Sequence, residues 1–259
     1  MSNFDRNTYV PPYGNVATQA QIDQGLRSYM LGVYNNMVLG LAITGVAALG
    51  FYLMSVTTDP SMAVGKLRNG LMLTQFGATL YTSALKWVVM FAPLAVVMYF
   101  GFKIQSMSAA AARGTFWLYS ALVGVSLATV FFVFTGSSIV RVFFITAASF
   151  GALSLWGYTT KKDLTGWGSF LIMGIFGILL ASIVNLFMQS TAMQFAISCI
   201  GVVLFAGLTA YDTQKIKEMY AEGYGSEMAD KLSIYGALQL YIDFLGMFQM
   251  LLSLLGDRE

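Results

Sequence analysis

Seven apolar stretches fix what this chain can become: Met30–Met54, Lys86–Phe102, Thr115–Thr135, Ile139–Tyr158, Gly168–Met188, Ala192–Tyr211 and Leu232–Leu255. Each is long enough, or nearly so, to cross a hydrocarbon core about 30 Å thick as a helix. A backbone in lipid satisfies its own hydrogen bonds, so an apolar run becomes a helix or a strand of a closed barrel. These runs are rich in Phe, Met, Leu, Val and Gly without period-2 alternation, which argues against a barrel. The expected fold is an all-α membrane protein, a bundle of seven transmembrane helices. Residues 1–29 form a polar N-terminal tail without the apolar core of a signal peptide, and residues 30–259 form the transmembrane domain.

Composition agrees. The chain is 57% hydrophobic and 10% charged, where a soluble domain carries about 25% charged residues. A net charge of +2 gives no reason to expect a nucleic-acid partner, and the partner implied is the lipid bilayer. The chain has no histidine, which removes the commonest general base and the commonest transition-metal ligand. Its single cysteine, Cys199, lies in an apolar run with no histidine to activate it and reads as a packing residue. No phosphate loop, zinc spacing or serine–histidine arrangement is present. The expectation is a protein that is not an enzyme and carries no cofactor.

The connections Gly136–Ser138, Thr159–Trp167 and Gln189–Thr191 are short and force antiparallel neighbours, while Ser55–Leu85 is long enough to cover one face of the bundle. Pro93 is expected to kink the second span. Small residues (Gly40, Thr44, Gly45 and Ala48 in the first span, Gly174, Gly177 and Ala181 in the fifth) suit close helix packing. No internal repeat is visible, which disfavours inverted-repeat transporters. With seven spans, nine basic residues (Arg6, Arg27, Lys103, Arg113, Lys161, Lys162, Lys215, Lys217, Lys231) fall on one side and five (Lys66, Arg68, Lys86, Arg141, Arg258) on the other. This bias predicts a cytoplasmic amino terminus and a carboxyl terminus on the opposite, periplasmic side.

Asp243 lies in the middle of the last apolar run, where an ionised carboxylate costs roughly 2.5–3.5 kcal/mol on insertion scales. If that run is helical, Gly236, Gln239, Asp243, Gly246 and Met250 share one narrow, partly polar face, which predicts that this helix turns the face inward and is central to the bundle. A second acid, Asp212, sits at the edge of the sixth run. Two carboxyls brought together share a proton, which makes such a pair a pH sensor, a ligand for Ca²⁺ or part of a proton path. The alternative is that Asp243 fastens helices through Asn35, Asn36, Asn185 or Tyr241.

The segments Gly207–Lys217, containing Thr209-Ala210-Tyr211-Asp212-Thr213-Gln214, and Ala237–Phe244, containing Leu240-Tyr241-Ile242-Asp243, resemble the Bax inhibitor-1 (transmembrane Bax inhibitor motif) family, most of all its bacterial inner-membrane members. Leu31-Gly32-Val33-Tyr34 with Gly40-Leu41, and Gly157-Tyr158 with Lys161-Lys162-Asp163-Leu164, extend the resemblance over most of the chain. The resemblance implies a seven-helix fold with the last helix surrounded by the others. It also implies a pH-sensitive calcium leak through a bacterial inner membrane, gated by the carboxyl pair Asp212 and Asp243, with Ca²⁺ as the permeating ion. In a bacterial relative an arginine at the end of the second span latches onto the pair. Here that region reads Phe100-Gly101-Phe102-Lys103-Ile104-Gln105, so Lys103 is the candidate substitute, without the bidentate fork of a guanidinium. Gln239 and Asn35 are the candidate supporting residues. Another branch of the family implies a different role, a non-conducting regulator of a membrane-anchored ATP-dependent protease in a membrane stress response, with Met1–Gln24 as its handle.

Overall fold

The computed structural model describes residues 19–67, 70–221 and 224–258, with side chains from Gln24 onward. Eight α-helices run through these residues: α1 Gln19–Ser55, α2 Gln75–Thr82, α3 Leu85–Lys103, α4 Ala109–Leu127, α5 Gly136–Thr159, α6 Thr165–Met188, α7 Thr191–Glu218 and α8 Ser226–Leu255. All except α2 are long and apolar enough to cross a membrane, seven in total. The apolar runs therefore locate every spanning helix. Helix ends extend past the runs, because a helix continues into water for as long as its backbone bonds are satisfied. The first begins at Gln19 instead of Met30, and α7 continues from Tyr211 to Glu218. Most of the proposed Met1–Gln24 handle lies outside the described residues.

Local chemistry sets several boundaries. Thr74, Ser108, Thr135 and Ser190 stand in extended conformation before α2, α4, α5 and α7, and each hydroxyl accepts from the amide three residues on. At the end of α6, Gln189 takes a left-handed conformation with φ 51°, and the side-chain Oδ1 of Asn185 accepts from Ser190 N–H at 3.0 Å. Pro93 lies inside α3, which nevertheless continues from Leu85 to Lys103. A 3-10 turn, Ala128–Phe132, completes the third span, begun by α4. The long link after α1 folds into three two-residue strands, β1 Val56–Thr57, β2 Gly65–Lys66 and β3 Met72–Leu73, paired antiparallel in the order β1-β3-β2.

The last helix is the centre of the bundle. α8 packs against α1, α4, α5 and α7, while α3 packs mainly on α4 and α6 on α7. Its buried residues Ile234, Leu240, Tyr241, Phe244 and Leu252 join Val33, Phe100, Phe116, Val142 and Phe150 in the main core. A smaller cluster, Leu171, Ile178, Ile197, Leu204 and Leu208, fills the α6–α7 seam. The exterior is apolar too: Phe102, Val46, Leu186 and Phe187 are all exposed, the reverse of a water-soluble surface and suited to lipid. Of the small residues expected to seat helices, Gly40 and Gly174 do so, against Phe116 and Leu204, whereas Gly45 and Gly177 face open space. The closest backbone approach is at Gly157, where a Cβ would strike the Ala210 backbone of α7. This contact holds α5 against the turn of α7 that carries Asp212.

At the far end of α8 the chain is clasped. The Arg141 guanidinium pairs with Asp257 at 3.0 Å and donates to the Leu255 carbonyl at 2.9 Å, and Asp257 N–H donates to the Ser138 hydroxyl at 2.9 Å.

Candidate functional site: a carboxyl pair inside the bundle

Asp212 lies two turns before the end of α7, and Asp243 lies in the middle of α8. Both are buried, 9% and 3% exposed respectively, and the two side chains are in hydrogen-bonding contact. Ionised carboxylates carry acceptors only, so a hydrogen bond between them requires one proton on the pair. Oδ2 of Asp243 is buried and receives no bond from an amide, hydroxyl or cation, and the same holds for Oε1 of Gln239 one turn earlier on the same helix. Native interiors leave few polar atoms in this condition.

The turn of α7 around Asp212 is held on two sides. Thr213 bonds back to the Thr209 carbonyl at 2.6 Å and sits 2.9 Å from the Ser154 hydroxyl of α5, which in turn lies 2.8 Å from the Tyr34 hydroxyl of α1. This hydroxyl chain ties three helices at the level of the pair. Gln214, also buried, accepts from Leu164 N–H at 2.8 Å and donates to the Lys162 carbonyl at 2.8 Å. The α5–α6 link is thereby fixed against α7. One turn further, Lys217 Nζ donates to the Tyr158 carbonyl at 2.9 Å.

The other candidate residues are not brought to the pair in the same way. Lys103 is exposed at the end of α3, a helix that packs chiefly on α4, and its hydrogen bonds are those its backbone carbonyl accepts from Ser106 and Met107. The cation that acts electrostatically on Asp212 is Lys215, on the same helix and 5.8 Å from the Tyr211 ring. Asn35 points outward and is exposed, because it falls on the lipid side of α1. Its neighbour Asn36 is buried and donates to the Gly32 carbonyl at 2.9 Å. Asn185 serves the end of α6, and the Tyr241 hydroxyl meets Thr44 at 2.5 Å. None of the partners expected for a purely fastening Asp243 is therefore engaged with it in these hydrogen bonds. Thr213, Ser154, Tyr34 and Gln214 escape a reading of sequence alone. Thr213 and Gln214 directly follow Asp212, which was their available signal, but their partners lie 50 or more residues away.

Among the described residues no three acidic, histidine or cysteine side chains cluster as a metal site. Two carboxyls fall short of the six to eight oxygen ligands of a resident Ca²⁺.

Seven apolar helices, the last of them central, with a paired acid inside, define a multi-pass membrane protein of the Bax inhibitor type. The chain belongs to that family: residues 26–259 match the family described as Inhibitor of apoptosis-promoting Bax1. It is 42% identical to the inner membrane protein YbhL of Escherichia coli over 91% of this chain and 94% of that protein. An uncharacterised protein of Rickettsia prowazekii is 44% identical over 92% of each chain. A protein of Caulobacter vibrioides, also uncharacterised, is 41% identical over the full length of both.

Proposed function

We propose that this protein is a pH-sensitive calcium leak of the bacterial inner membrane, with the Asp212–Asp243 pair as its sensor and gate. The observation that carries this reading is the contact of two buried carboxyls between α7 and the central helix α8. Sharing a proton, they hold α7 to α8; fully ionised, they repel one another across the same seam. The rings of Phe143, Phe150, Phe244 and Phe248 pack at 5.5–6.3 Å on the α5–α8 seam, with Phe143 at its exposed edge. The inner-membrane location is supported by the name of YbhL. A cytoplasmic amino terminus is supported by the nine basic residues on that side of the chain.

The test is Ca²⁺ flux into liposomes carrying the full chain, at about pH 6, 7 and 8. Flux that varies with pH in the wild type and is flat in Asp243→Asn and Asp212→Asn is expected. Flux no greater than in empty liposomes, or unaltered pH dependence in both variants, overturns the reading. The first of these outcomes leaves the non-conducting role, regulation of a membrane-anchored ATP-dependent protease, as the alternative.

A further inference from the structure

α1 and α5 both pack against α8, yet their own meeting point is the Tyr34–Ser154 hydrogen bond. Between them runs a groove of about 1040 Å³, floored by Phe244 of α8. It opens sideways: Leu31, Val38 and Val46 on one wall and Leu155 on the other are exposed. Gly45 and Gly151 widen it, since a Cβ at either would meet nothing within 4 Å. Of its three hydroxyls, Tyr158 stands at one end, and those of Tyr34 and Ser154 already satisfy one another, so the body of the groove asks for an apolar occupant.

Its two ends differ in charge. At one end stands Arg27, exposed, and close behind it Lys217, 5.2 Å from the ring of Tyr158, which itself lines the groove. Lys161 and Lys162 follow directly after α5 at the same end. Among the described residues none of these four cations is in an ion pair. At the opposite end the nearest cation on α5, Arg141, is already neutralised by Asp257. The groove therefore favours an amphiphile with one anionic head and apolar tails.

From Arg27 to Val46 the groove runs about 28 Å at 1.5 Å per residue, close to the full hydrocarbon thickness of about 30 Å. Its open side lies among the lipid-facing residues Leu31, Val38, Val46 and Leu155, and its cations gather at one end only. That is the arrangement of a lipid whose head sits at the membrane surface and whose acyl chains occupy the nearer half of the groove.

We propose that the α1–α5 groove binds the acyl chains of an anionic glycerophospholipid whose phosphate headgroup is held by Arg27, with Lys217 and the Lys161–Lys162 pair adding positive potential. The readout needs neither calcium nor a pH change, so it stands apart from the leak. Full-length protein in detergent is titrated with dioleoylphosphatidylglycerol or dioleoylphosphatidylcholine, and bound lipid is counted by native mass spectrometry. The wild type is expected to prefer the phosphatidylglycerol. Arg27→Ala is expected to weaken it about fivefold, the weight of one basic residue near an anionic headgroup, and to leave the phosphatidylcholine unchanged. Gly45→Leu combined with Gly151→Leu, which fills space that no side chain uses, is expected to reduce both lipids. Lys103→Ala, a cation outside the groove, is expected to change neither. Equal binding of the two lipids by the wild type, or phosphatidylglycerol binding indifferent to Arg27→Ala, overturns the proposal. So does a dimer of the chain that the double leucine variant abolishes, because the groove would then belong to a second copy.

Discussion

Tyr241 and Asp243 stand two residues apart on α8, about 200° around the helix from each other, and they head two polar clusters of opposite character. On the α1–α4 side the Thr44 hydroxyl is shared between the Gly40 and Ser120 carbonyls at 2.9 Å each and accepts from the Tyr241 hydroxyl at 2.5 Å. The rings of Phe116 and Tyr119 stand edge-on to Tyr241 at 5.5 and 5.7 Å. The hydroxyls of Thr44, Ser120 and Tyr241 all have partners there. On the α7 side Asp243 meets a second acid, and its Oδ2 receives no bond from an amide, hydroxyl or cation. A satisfied buried network stabilises and specifies a fold, and a half-satisfied one weakens it. The first cluster therefore reads as a fastener. The second lacks that complete set of partners.

The largest expected effect separates the two. Tyr241→Ala empties the centre of the first cluster, and a loss of about 3–5 kcal/mol follows from the cavity and the lost ring contacts. Thermal melting in detergent measures it. Asp243→Asn keeps the volume and removes the buried charge, so its melting temperature should equal or exceed that of the wild type. If Asp243→Asn destabilises as much as Tyr241→Ala, both clusters are fasteners and the contrast is lost.

Gln214 sharpens the contrast on the α7 side itself, because it is a fully paired neighbour of the incompletely paired acids. Gln214→Leu leaves Leu164 N–H and the Lys162 carbonyl without the partner that now fixes them. Each orphaned buried group costs about 1–3 kcal/mol. Hydrogen exchange should speed up at Leu164 before it does so in α8. Unchanged exchange there would mean that the α5–α6 link is held by packing and not by Gln214.

Spans and their order were legible because lipid permits so few backbone solutions that length and apolarity suffice. The central position of α8 was legible from the small and polar face carrying Gly236, Gln239 and Asp243. Asp212 came with the family motif more than from its own position at a helix edge. What stayed hidden is rotational: Asn35 and Asn36 are adjacent letters, yet one faces lipid and the other the interior. Lys103 illustrates the same limit, since its place at the end of α3 says nothing of which helices α3 touches. Lys215 acts on Asp212 instead because one helix carries both, a proximity that three residues of spacing already contained.

A surface acid supplies the reference against which the buried pair is judged. Asp163 lies in the link between α5 and α6, outside the spans, and its Oδ1 accepts from Thr165 N–H at 2.8 Å. Hydrogen bonds from the Thr165 side chain and backbone hold its carboxyl below the usual carboxylate range. The fold thus favours the ionised form, and the stabilisation is complete above the ordinary value of about 3.9. It disappears as pH falls through the lowered one. Asp163→Asn keeps an acceptor but loses the charge, so its melting temperature should fall slightly below wild type at neutral pH, the smallest shift of the three. The two curves should converge as pH falls through the acid range. A gap that stays constant with pH would assign the effect to the shape of the turn and not to the charge, and would remove Asp163 as the ordinary acid beside which the behaviour of Asp212 and Asp243 stands out.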